Sequence, residues 1–99
     1  MITRIVKLSF QPEKVNDFLQ IFESSKEKIR AFEGCTHLEL LNDIANKNIF
    51  FTRSIWESEK YLLKYRNSAL FESTWAKTKI LFSAAPEAWT TEEVISFKL

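Results

Sequence analysis

The run Ile49-Phe50-Phe51-Thr52-Arg53-Ser54-Ile55-Trp56 is dense in β-branched and aromatic side chains, the composition of a strand. Successive strand side chains point to opposite faces, so this strand is apolar on both, through Ile49, Phe51 and Ile55 on one side and Phe50 and Trp56 on the other. Residues 2–10 repeat the problem: Ile2, Val6, Leu8 and Phe10 alternate with Thr3, Lys7 and Ser9, while Arg4 and Ile5 each break the pattern of their face. A sheet made of such strands has no face to leave in water, and both must be covered.

The rest of the chain says what can cover them. Pro12 suits a first helical turn, and Val15, Phe18, Leu19, Phe22, Ile29 and Phe32 recur at helical spacing opposite Glu13, Asp17, Gln20, Glu27 and Lys28, predicting a helix to about Phe32. Gly34 follows as the stop, and residues 35–41 resume as a strand. The turn formers of residues 42–48 join it to the 49–56 strand as a hairpin. Ser58 is placed to cap a helix through Arg66, and Ser68 a second one whose Phe71, Trp75, Thr78 and Phe82 share a face, with Pro86 as its stop. Residues 89–97, with Val94, Ile95 and Phe97, are expected to form a last strand. This order is the split βαβ unit: an α+β, ferredoxin-like, four-stranded antiparallel sheet with helices on one face, in a single domain over residues 1–99.

Helices cover one face only. A chain of 99 residues, 45% hydrophobic and with nine Phe and three Trp, carries more apolar surface than one small core hides. The expected second cover is the same sheet of another copy, giving a homodimer closed into a barrel. Fourteen basic and thirteen acidic residues are scattered through the sequence, which gives no footprint for nucleic acid. The sequence has no apolar run long enough for a membrane span and no secretory leader, and Cys35 is its only cysteine, so a cytoplasmic location is expected. One His, one Cys and one Gly are too few for a typical zinc site or a glycine-rich phosphate loop, so neither a metal nor a bound cofactor is expected.

The segments Phe32-Glu33-Gly34-Cys35, Ile49 through Trp56, Trp56-Glu57-Ser58-Glu59 and Tyr65-Arg66-Asn67-Ser68 with Phe71 resemble the antibiotic biosynthesis monooxygenase family, over nearly the whole chain. The resemblance implies a dimeric α+β barrel with one pocket per subunit, between sheet and helices. Some members oxidise polycyclic aromatic phenols or quinols with molecular oxygen and no cofactor, and others degrade haem. The haem branch is disfavoured: Trp75 stands where those relatives carry the iron-binding histidine, Tyr65 stands where they carry a tryptophan, and residues 2–10 contain no Asn. The expectation is a cofactor-independent monooxygenase of a small aromatic phenol or quinol; the alternative is a dimeric module that binds an apolar small molecule without chemistry.

Such oxygenation needs an apolar aromatic wall and a cation or donor to steady an oxyanion. Trp56, Tyr65, Phe71 and Trp75 are the candidate wall, with plain core packing as the competing reading. Arg4 either faces that pocket or pairs with a carboxylate of a partner chain. A hairpin turning about Ala45 sets His37 opposite Arg53, Glu39 opposite Phe51 and Leu41 opposite Ile49, and so places His37, Glu39 and Arg53 on one face. There His37 is the candidate base, Arg53 the oxyanion holder and Glu39 the residue orienting them, against a purely structural polar cluster. Cys35 is expected to be a small buried hydrophobe.

Overall fold

The computed structural model describes residues 1–98. Strand β1 (Ile2–Ser9) is followed by a 3-10 turn at Pro12–Lys14 and helix α1 (Val15–Arg30), then by β2 (Cys35–Asn42) and β3 (Ile49–Trp56). Two short helices, α2 (Glu59–Arg66) and α3 (Ala69–Lys79), precede β4 (Glu87–Glu92). The sheet is antiparallel throughout, in the order β2-β3-β1-β4, as the split βαβ unit requires.

Alternation along the strands sorts the side chains. Even-numbered positions of β1 and β3 face the helices: Leu8, Phe10, Phe18, Phe50 and Leu81 make one buried cluster, with Val6 and Trp75 packed on it. Cys35, Trp56 and Leu62 make a second, covered by Phe32, Tyr61 and Tyr65. Trp56 is wholly buried, and its indole Nε1 donates to Ser54 Oγ at 2.9 Å, which satisfies the one polar atom the ring takes inside. Ser68 caps α3 as the sequence suggests, accepting from the Phe71 amide at 3.1 Å; Ser58 holds the equivalent place before α2 without a side-chain bond.

Between α1 and β2 the chain turns on Gly34, whose φ of +84° is in the left-handed region. A methyl group there would come within 2.3 Å of the Tyr61 ring, so the position needs glycine for both its dihedral and its clearance. Arg30 Nη1 donates to the Cys35 carbonyl at 2.8 Å and ties the end of α1 to the start of β2.

Three expectations are corrected. Helix α1 ends at Arg30, and Phe32 packs from the following turn against Trp56 and Tyr65. Helix α3 ends at Lys79, before Pro86, because the chain turns to bury Leu81 and to bridge Phe82 to Phe10. The last strand is Glu87–Glu92, not residues 89–97: its antiparallel pairing with β1 runs from Glu87 opposite Lys7 to Glu92 opposite Ile2, the first residue of β1. Val94, Ile95 and Phe97 lie beyond it, each at least 80% exposed.

Candidate active site

Sheet and helices enclose a cavity of about 320 Å3, inside the ~300–1,000 Å3 range of small-molecule sites. Its floor is the even-numbered side of the sheet: Arg4, Val6 and Leu8 of β1, Leu38 of β2, Thr52, Ser54 and Trp56 of β3, and Ala88 of β4. Its roof includes Leu62, Tyr65 and Arg66 of α2 and Phe71, Trp75 and Thr78 of α3. Members of both core clusters line it, so the space between the clusters is the cavity.

All four aromatic residues expected in the wall line this space and touch in series. Trp56 stacks on Tyr65 with centroids 5.1 Å apart, Tyr65 meets Phe71 edge-on at 5.3 Å, and Phe71 stacks on Trp75 at 5.7 Å with planes 12° apart. The series exists because Tyr65 stands near the end of α2 and Phe71 and Trp75 are one helical turn apart on α3. Desolvation beneath the helices, with a smaller contribution from Cys35, pushes the Tyr65 phenol up to about 12, so it is a neutral hydroxyl at neutral pH.

Arg4 is on the cavity side. Its Nη1 donates to Thr90 Oγ1 on the adjacent strand at 2.8 Å, which steadies the guanidinium. Partial burial, and then the nearby Arg66 charge, lower its pKa, although a guanidinium stays charged at any ordinary pH. Arg66 at the end of α2 is a second cation of this site that the sequence did not single out, because a basic residue in a last helical turn ordinarily complements the helix dipole. Ser54 was also missed, although its spacing of two from Trp56 placed it on the same face.

His37, Glu39 and Arg53 come together, but elsewhere. Arg53 Nη1 donates to Glu39 Oε1 at 3.0 Å, and His37 Nε2 lies 3.5 Å from Glu39 Oε2 without hydrogen-bond geometry. The bond from Arg53 is the main reason the Glu39 carboxyl titrates below the ordinary carboxylate range. The pairing differs from expectation: Glu39 is opposite Arg53 and His37 opposite Ile55, because the turn centres near Asn46. Asp43 Oδ1 accepts from the Ala45 amide and Asn46 Oδ1 from the Asn48 amide, two Asx turns that fix this centre. All three residues occupy odd-numbered positions, on the face turned away from the cavity, so the trio expected to supply base, oxyanion holder and orienting carboxylate does not reach a ligand bound there. Cys35 is buried, as expected, and desolvation raises its thiol pKa. No histidine lines the cavity, and the described residues contain no group of three metal-binding side chains.

An antiparallel ferredoxin-like sheet with an aromatic cavity under its helices defines a class of small α+β proteins, and comparison narrows the class. The sequence model for "Antibiotic biosynthesis monooxygenase" matches residues 1–77, and the chain belongs to that family. It is 29% identical over 92 residues to the Bacillus subtilis (strain 168) protein "Putative monooxygenase YcnE", covering 93% of this chain and 97% of that one. The fold matches the crystal structure of an antibiotic biosynthesis monooxygenase with a TM-score of 0.90 at 17% identity, over 96% of this chain and 100% of the other. A conserved protein from Methanosarcina mazei Go1 matches with a TM-score of 0.88 at 22% identity, over 94% of this chain and 93% of its own.

Proposed function

We propose that the cavity is a monooxygenase site for an aromatic phenol or quinol, with molecular oxygen as co-substrate and no bound cofactor. One observation carries the reading: an aromatic series from Trp56 to Trp75 lines a cavity whose only charged groups among the described residues are the guanidiniums of Arg4 and Arg66. The aromatic series is a stacking surface for a flat ring, and the guanidiniums stabilise the phenolate, which is the electron-rich form that reacts with oxygen. Among the described residues the lining offers no carboxylate or imidazole as a base, so the cations act by lowering the phenol pKa, and the proton leaves to solvent. For a phenol with a free para position the balance closes without a reductant: phenol and O2 give the para-quinone and water, with four electrons drawn from the ring.

A homodimer through the other sheet face belongs to the same proposal. That face carries Ile5, Phe51, Ile55 and Leu41 around the Arg53–Glu39 pair, with no helix of the same chain over it. Its partner is a second copy.

Oxygen-electrode assays with a panel of naphthols and quinols test the chemistry. Consumption above the uncatalysed rate is expected for at least one of them, falling on the order of a hundred-fold in Arg4→Ala, as for loss of one oxyanion donor, and unchanged in His37→Ala. The lack of a base in the lining favours a second reading, a binding module without chemistry, and ring binding with no oxygen uptake across the panel would establish it.

A further inference from the structure

Arg4 and Arg66 both line the cavity, and neither has a carboxylate within ion-pairing distance among the described residues. The ion pairs formed elsewhere use Lys7, Lys26, His37, Arg53 and Lys64. Two like charges around one partly desolvated space repel each other, and the fold opposes them with no acidic side chain in the lining. Thr90 accepts a single hydrogen bond from Arg4, leaving most of that guanidinium's donors without a protein partner among the described residues. A lone phenolate oxygen occupies one guanidinium fork, whereas a carboxylate beside a phenol presents enough acceptors for two.

We infer that the substrate is an aromatic acid, a ring bearing a carboxylate next to its phenolic hydroxyl, with the ring against the aromatic wall and the carboxylate held by Arg4 and Arg66. This rests on the reading of the cavity as the substrate site and adds a requirement for a fixed negative charge. The carboxylate supplies the counter-charge the site lacks, so its binding relieves the repulsion between the two arginines as well as forming charge-assisted hydrogen bonds.

Calorimetric titration of the 99-residue protein with 1-hydroxy-2-naphthoic acid, its methyl ester and 1-naphthol tests this, at low and at high salt. The acid is expected to bind about ten-fold or more tightly than the ester, as charge-assisted hydrogen bonds of ordinary strength would give. That preference should shrink with salt and in Arg4→Gln and Arg66→Gln. Arg66 is exposed at the end of α2, so Arg66→Gln keeps the test valid if replacing Arg4 within the sheet impairs folding. An ester that binds as well as the acid, or a preference untouched by Arg66→Gln, overturns the inference. If ester and naphthol still bind and Trp75→Ala weakens them, the cavity reading survives that failure; if none of the three ligands binds, both fall.

Discussion

Trp56 is fully buried and its indole N–H has one partner, Ser54 Oγ, so the pair stands or falls together. Ser54→Ala should cost about 1–3 kcal/mol in urea unfolding by orphaning that donor, and distinctly less in a Trp56→Phe background, where there is no donor to orphan. Gly34→Ala should cost more than about 1 kcal/mol, because the left-handed backbone and the Tyr61 ring both oppose a methyl group. Tyr65 adds a pH dependence whose sign follows from its raised value of about 12. The folded state retains the phenol proton more tightly than the unfolded chain, whose tyrosines titrate near 10, so the contribution is complete below about pH 10 and is lost as pH rises through 12. Chemical denaturation across that window should show wild type losing stability more steeply than Tyr65→Phe. At this scale the aromatic wall was legible, since Phe71 and Trp75 repeat at helical spacing beside a strand ending in Trp56. Of the cations, Arg4 was expected either at the pocket or against a partner-chain carboxylate, whereas Arg66 looked like a dipole partner, and only the folded chain shows that both line one cavity.

The elements were legible wherever periodicity or a capping residue marked them, and misplaced where long-range pairing decided. The hairpin shows why one error was harmless and another was not. Moving the turn centre from Ala45 to Asn46 changes every cross-strand partner by two residues, a step that preserves faces, so His37, Glu39 and Arg53 stayed together. Which side of the sheet the helices choose is a tertiary matter that a strand apolar on both faces cannot announce, and that choice put the trio opposite the cavity. The tail shows the same limit: Val94, Ile95 and Phe97 have strand composition, but the pairing of β4 with β1 stops at Glu92. Truncation after Glu92 should therefore leave the far-ultraviolet circular dichroism per folded residue nearly unchanged.

At the scale of the whole molecule the sheet is a partition: its helix side holds an aromatic cavity with two arginines, and its other side holds apolar residues around an Arg53–Glu39 pair. Covering that second face with another copy removes apolar surface from water at about 25 cal/mol per Å2. Sedimentation equilibrium should give twice the 11.7 kDa chain mass at micromolar concentration, and dilution should lower the melting temperature. The residues with the strongest catalytic look in the sequence, His37, Glu39 and Arg53, lie on the side of the sheet away from the cavity. The most direct test is a crystal structure of the protein with 1-naphthol bound. The ring should lie in the cavity against Trp56, Tyr65, Phe71 or Trp75, with its oxygen within hydrogen-bonding reach of Arg4 or Arg66. A naphthol bound instead beside His37 and Arg53, with the cavity left empty, would contradict the assignment of the site.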